Sequence, residues 1–89
     1  MSLYKVTFAK SAGKDFDCLD KTTNYRISKK IDALREAPRP PGCVKLSGSV
    51  ERWRIRVGDY RVVYDIYDKE KRLDIVAVSH RREVYKFLH

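Results

Sequence analysis

The sequence predicts a small α+β domain in which two helices precede most of the strands. Apolar residues recur at helical spacing in the first 40 residues, they alternate with polar residues in several later segments, and a proline-rich segment separates the two patterns. Helices that precede a run of antiparallel strands pack together on one face of the sheet. We therefore expect one domain over residues 1–89, ordered β-α-α-β-β-β(-α), with an antiparallel sheet and both N-terminal helices on one face.

The N-terminal half predicts a strand and two helices. Alternating aromatic and polar residues predict a strand over residues 3–8, and helical spacing predicts a short helix within residues 9–19. The main helix is expected from about residue 23 to residue 37, with a threonine N-cap, because one stripe carries Ile27, Ile31 and Leu34. The charges off that stripe are interpreted as a solvated face: Lys29, Lys30 and Arg35. Prolines then end the helix.

Residues 52–67 are typical of a β-hairpin with one apolar and one cationic face. Apolar and basic residues alternate on both sides of a Gly-Asp pair at 58–59, and a two-residue loop there would place Arg56 opposite Arg61. Arg54 then shares their face. Two arginines directly opposite each other repel, at a cost of up to about 1 kcal/mol. The placement of charge therefore predicts a bound polyanion.

The same loop predicts which side chains of the hairpin enter the core. The other expected cross-strand pairs are Val57–Tyr60, Ile55–Val62, Arg54–Val63 and Trp53–Tyr64. The aromatic side chains Trp53 and Tyr64 are assigned to the core. A later strand is expected to add Leu73, Ile75 and Ala77 to the same face. Residues 43–50 are expected to form a short strand or an ordered loop, and residues 79–89 are expected to form one or two helical turns.

Composition limits the kinds of partner. With 20 Lys and Arg against 12 Asp and Glu, the chain carries +8, which favours nucleic acid, an anionic membrane or an acidic protein. No apolar run reaches the roughly 20 residues of a membrane span, so we expect a cytoplasmic protein that binds no membrane. Two distant cysteines and two histidines lack zinc-ligand spacing, so we expect no metal and no other cofactor.

The side chains that bind or cut a phosphodiester fall near the hairpin and in the C-terminal segment. Guanidinium groups match phosphate oxygens, tyrosine stacks on bases or exchanges a proton, and histidine titrates near neutral pH. Without a metal, a nuclease of this kind would use the 2′-OH of RNA as its nucleophile. The alternative for the strand arginines is a solvated sheet surface. The candidate residues are Arg54, Arg56, Arg61, Arg81, His80 and Tyr85.

Three segments carry a resemblance to a known family. The runs VKLSG at 44–48, WRIRVGDYRVVY at 53–64 and HRREVY at 80–85 resemble the RelE branch of the RelE/ParE toxin superfamily. The resemblance covers nearly the whole chain in the same order. It implies a small α+β endoribonuclease that cuts messenger RNA, in many cases on the ribosome, and that a cognate antitoxin holds inactive.

The resemblance also implies roles for individual residues. Arg61 and Arg81 would contact the scissile phosphate, and Tyr85 would act near the reacting groups. Arginines 54 and 56 stand where the best-known members have lysines. Because arginine does not lose its proton in proteins, it cannot take the proton-transfer role of a lysine.

Proton transfer is therefore expected from the C-terminal residues. Either His80 or Tyr85 would take the 2′-OH proton, Arg81 or a water would protonate the leaving 5′-oxygen, and the strand arginines would hold the phosphate. The expected product is a 2′,3′-cyclic phosphate. Lys45 is a further candidate for backbone contact or proton transfer.

Two other functions stay open at this point. A ParE-like toxin shares the fold and poisons DNA gyrase, and a basic RNA-binding module would bind without cutting. The C-terminal HRREVY run favours the RelE branch. The expected partners are mRNA, the ribosome and an acidic, partly disordered antitoxin segment, with DNA reached only through the antitoxin. That segment would cover the strand arginines or displace the tail around Tyr85.

Overall fold

The computed structural model describes residues 3–46 and 51–80 and has the expected α+β architecture. The elements of this part of the chain are β1 (Lys5–Phe8), α1 (Lys10–Asp17), α2 (Lys21–Glu36), β2 (Val44–Lys45), β3 (Arg52–Val57), β4 (Tyr60–Tyr67) and β5 (Arg72–His80). Their order confirms two helices between the first strand and the others, and β2 is a short strand in addition to the three strands expected after the helices, within a segment for which the sequence allows a strand or a loop. Strand β5 includes Ser79 and His80, so the prediction of helical turns is wrong for these two residues, and residues 81–89 of that segment lie outside the described residues.

The five strands form one sheet in the order β1-β5-β4-β3-β2. Strands β2 to β5 are antiparallel, as expected. The sheet as a whole is mixed, because β1 pairs in parallel with β5, with Lys5 opposite Arg72 and Phe8 opposite Ile75. The two helices carry the chain from β1 at one edge to β2 at the other, which leaves β1 beside the last strand.

Helix α2 begins after an aspartate rather than the expected threonine. Asp20 has extended backbone angles, and its carboxylate accepts a hydrogen bond from the Thr23 backbone N–H at 3.2 Å. That geometry satisfies one of the N–H groups that the first helical turn leaves unpaired. The helix ends at Glu36, close before the prolines, and buries the predicted stripe of Ile27, Ile31 and Leu34.

The hairpin of β3 and β4 has the predicted register at all five positions. Arg56 lies opposite Arg61, and Trp53 lies opposite Tyr64. Gly58 has a φ of +60°, the left-handed conformation that a two-residue hairpin loop needs and that glycine adopts at little cost.

A β-bulge in β5 shifts its register with β4 from the one expected. Val63 lies opposite Ala77, whereas Tyr64 lies opposite Ile75, so Val76 is one residue more than β4 can match. An extra residue reverses the alternation of faces beyond it. The prediction that Ala77 joins the main core is therefore wrong. It packs with Val63 on the other face.

The main core lies between the sheet and both helices, which confirms that the helices share one face. Ala12 of α1 and Ile27 of α2 are buried in the same cluster as Leu73 and Ile75 of β5. Tyr64 is also fully buried there, and its hydroxyl donates to the Pro38 carbonyl at 2.7 Å. The opposite face of the sheet carries the smaller cluster around the bulge and the arginines of the hairpin.

Candidate nucleic-acid interface

Three arginines of the hairpin project from the face of the sheet that the helices do not cover. Arg56 lies directly opposite Arg61, and Arg54 lies opposite Val63. Side chains at directly opposed antiparallel positions share a face, with Cβ atoms about 4.5–5.5 Å apart. We call Arg54, Arg56 and Arg61 the arginine face. The structure brings these three predicted site residues together.

Arginines near the other end of the sheet are compensated by carboxylates. Arg52 donates two hydrogen bonds to Asp65, at 2.7 and 2.9 Å. Arg39 donates to Asp68 at 2.9 Å, and Tyr4 donates to the same carboxylate at 2.6 Å. These bonds, that from Arg39 first, hold the pKa of Asp68 below its usual value. Such paired charges leave little field for a ligand.

Two members of the arginine face lack this compensation. The side chains of Arg54 and Arg56 make no hydrogen bond or ion pair within residues 3–46 and 51–80. Arg56 is exposed and Arg54 half-buried, so both can reach a ligand. Guanidinium groups that share a face and lack carboxylate partners form a site for a polyanion with phosphate oxygens.

The arginine face continues around the edge of the sheet into a groove. Among the described residues, β2 pairs with Arg54 and Trp53, and the Leu46 N–H donates to the Arg52 carbonyl, so residues 55–57 of β3 form an open edge. A groove of about 460 Å³ runs between this edge, α2 and the proline segment, and Arg54, Arg56 and Lys30 line it. The sequence predicts a solvated helix face for Lys30, whereas the structure places Lys30 in the wall of this groove. The helical periodicity of α2 does not indicate that the helix lies beside β3.

His80 does not share the arginine face. It lies opposite Tyr60, and their rings are 5.7 Å apart at 78°. Tyr60 packs against the main core, so the His80 side chain projects on the helix side of the sheet. Its chain neighbour Ser79 lies opposite Arg61 and on the arginine face. Alternation along β5 puts the imidazole and the Arg61 guanidinium on opposite faces.

Lys45 also lies away from the arginine face. It is opposite Trp53, whose ring packs against the main core, and its ammonium lies 3.8 Å from a Glu51 carboxylate oxygen. Of the predicted site residues, Arg81 and Tyr85 lie outside the described part of the chain. Within that part, no group of three His, Cys, Asp or Glu residues is arranged to hold a metal ion. No helix there is long and apolar enough to cross a membrane.

This architecture defines a small α+β protein with a cationic sheet face, and comparisons with known proteins give its family. Residues 6–85 match the model for the ParE toxin of the type II toxin-antitoxin system. A putative RelE-like toxin protein of Escherichia coli is 31% identical over 80 residues, which are 88% of this chain and 83% of that protein.

Two solved structures superpose closely on the chain. The archaeal RelE-RelB complex from Pyrococcus horikoshii OT3 gives a TM-score of 0.80 at 30% identity, over 91% of this chain and 98% of the other. The isolated E. coli RelE toxin gives 0.78 at 28% identity, over 94% and 93%. The chain belongs to the RelE/ParE superfamily of type II toxin-antitoxin toxins, and its relatives include RelE toxins.

Proposed function

We propose that this toxin is a metal-independent endoribonuclease that cuts mRNA on the ribosome and so inhibits translation. The observation that supports it most directly is the opposed pair of Arg56 and Arg61, with Arg54 beside it. A solvated surface gains nothing from like charges placed opposite each other, whereas a phosphate backbone offsets their repulsion. The similarity to RelE toxins supports RNA as the polyanion.

In this proposal the arginine face binds the scissile phosphate and its neighbours. The 2′-OH attacks the adjacent phosphorus, the bond to the 5′-oxygen breaks, and the products are a 2′,3′-cyclic phosphate and a 5′-hydroxyl. Arg61, with Arg81 from the C-terminal segment, stabilises the negative charge that develops on the phosphate in the transition state. Lys45 supplies at most a backbone contact, because its ammonium already lies beside Glu51.

Proton transfer is assigned to Tyr85 rather than His80. His80 projects from the helix side of the sheet and Arg61 from the other side, so His80 points away from a phosphate held by the arginine face. The resemblance to RelE toxins supports a role for Tyr85 near the reacting groups. Tyr85 then takes the 2′-OH proton, and a water protonates the 5′-oxygen, because an arginine such as Arg81 keeps its proton. The limb of the pH–rate profile that reports the base should therefore be unchanged in His80→Gln.

The proposed protein partner is a cognate antitoxin with an acidic segment. The P. horikoshii relative was crystallised as a RelE-RelB complex, which supports an antitoxin here. An acidic segment would neutralise Arg54, Arg56 and Lys30, which line one groove with apolar residues of α2. Such a segment would block RNA from the same charges.

A second candidate, inhibition of DNA gyrase, is favoured by the match of residues 6–85 to the ParE model. One experiment separates the two. The toxin is added to a translating extract, with and without added EDTA in excess over zinc but below magnesium, and transcript 5′ ends are mapped. Codon-phased cuts in both samples support the nuclease. Intact transcripts together with trapped gyrase–DNA breaks would contradict it.

A further inference from the structure

A pocket opens on the helix side of the sheet, at the same end as Arg56 and Arg61. It holds about 210 Å³ between the C-terminal turn of α1 and the paired ends of β4 and β5. Its walls include Asp15 from α1 and Cys18 just after it, together with Tyr60 and His80 from the sheet. The assigned chemistry uses none of these four side chains.

We propose that this pocket binds one nucleobase of the RNA whose phosphate lies on the arginine face. The inference rests on the proposed function and adds a base-binding subsite to it. The rings of Tyr60 and His80 stand edge to face, with centroids 5.7 Å apart at 78°. Because the rings are nearly perpendicular, a base that stacks on the face of one ring presents its edge to the face of the other, and unpaired bases stack on aromatic side chains in this way.

The charge of the pocket selects a base over a phosphate. Asp15 is exposed and makes no ion pair within the described residues, so its carboxylate repels phosphate oxygens. The same carboxylate accepts hydrogen bonds from an exocyclic amino group. Adenine, cytosine and guanine carry that group and uracil does not. The pocket therefore favours an amino-bearing base.

The register of β4 and β5 relates the pocket to the arginine face. Arg61 follows Tyr60 in β4, and Ser79 opposite Arg61 precedes His80 in β5. Successive residues of a strand project to opposite faces. An RNA strand that turns around this end of the sheet would place a phosphate beside Arg61 and a neighbouring base against the Tyr60 and His80 rings. This gives His80 a role that its position on the helix side permits.

The first test compares two exposed carboxylates of the same helix. Cleavage rates are measured on programmed ribosomes with mRNAs in which each nucleotide around the cut is varied in turn. The wild type should prefer amino-bearing bases over uracil at one position. Asp15→Asn should reduce that preference roughly tenfold, as expected for losing a charged hydrogen bond. The control Asp17→Asn, outside the pocket, should keep it.

The second test uses the two thiols of the chain. Cys18 is exposed and lines the pocket, whereas Cys43 lies elsewhere. The rate of thiol alkylation is measured with uncleavable 2′-O-methyl RNA bound on the ribosome, and it is compared with the same complex that carries an abasic nucleotide at the preferred position. The intact base should slow the alkylation of Cys18 several-fold, and the alkylation rate of Cys43 should be the same in both complexes. Equal Cys18 rates, or a base preference unaffected by Asp15→Asn, would overturn the pocket assignment. A wild-type chain that cuts no RNA would instead overturn the proposed function.

Discussion

At the scale of single residues, the opposed arginines show most clearly how charge placement differs from what stability alone favours. Arg56 and Arg61 face each other across antiparallel strands, where like charges destabilise the sheet. Arg54, two pairs away along β3 and on the same face, lies opposite the apolar Val63 instead. Arg54 and Arg56 thus share a strand and a face but have different cross-strand partners. Substitutions at the two positions can therefore measure the effect of the opposed charge on stability.

Replacing Arg56 should stabilise the fold while weakening function. Arg56→Thr removes the repulsion and should raise the free energy of unfolding by up to about 1 kcal/mol in urea denaturation. Arg54→Thr makes the same chemical change opposite Val63 and serves as the control, with no comparable gain. An equal effect of the two substitutions on stability would show that cross-strand repulsion is absent.

The carboxylate of Asp68 should make stability depend on pH. Hydrogen bonds from Arg39 and then Tyr4 lower its pKa in the folded state. A lowered pKa means that the stabilisation is present above the unfolded value of about 3.9 and is lost as pH falls through the folded value. The difference in unfolding free energy between the wild type and Asp68→Asn should therefore shrink from pH 7 to pH 2.5. A difference constant over this range would contradict the assignment.

The sequence determines the sheet face of some site residues but not of others. The alternation around Gly58 was sufficient to place the three arginines on one face, because a two-residue loop leaves one register. The face of His80 depends on the pairing of β5, which no local turn determines. The ion pairs of Arg39 join residues 12 and 29 positions apart and depend on no local turn, so the contrast between Arg39 and the two arginines Arg54 and Arg56 is visible only after folding.

At the scale of elements, the bulge in β5 decides which side chains form the core. Without it, strict alternation from Ile75 would put Ala77 and Ser79 on the helix side and Val78 on the other. The extra residue at Val76 returns Val78 to the core, where it is 3% exposed. Residues 75–78 are all apolar, so the sequence does not show which of them is the extra residue of the bulge. Only the pairing of β5 with β4 reveals it.

Two valines of β5 test the bulge. Val78→Ala should lower the free energy of unfolding by about 1–3 kcal/mol, because it leaves a cavity in the main core. Val76→Ala, at the half-buried bulge position, is the matched control and should cost distinctly less. Both values come from chemical denaturation. Similar losses for the two substitutions would argue that β5 continues without the bulge, because Val76 and Val78 would then lie on the same face.

At the scale of the whole molecule, the two faces of the sheet differ in what covers them. The helices cover one face of the sheet, and the hairpin presents arginines on the other. With a formal charge of +8, the protein attracts polyanions from a distance, and the arginine face determines where they bind. The fold class and element order followed from periodicity, whereas the parallel β1–β5 pair required the path of the chain across the sheet.

The rate of mRNA cleavage by Arg61→Ala tests the central claim most directly. The substitution is compared with Arg26→Ala, which removes the same charge from an exposed position on α2. If Arg61 stabilises the transition state, single-turnover cleavage on programmed ribosomes should fall roughly 100-fold or more, and Arg26→Ala should cut nearly as fast as the wild type. Wild-type products should end in a 2′,3′-cyclic phosphate. Undiminished cleavage by Arg61→Ala would contradict the account.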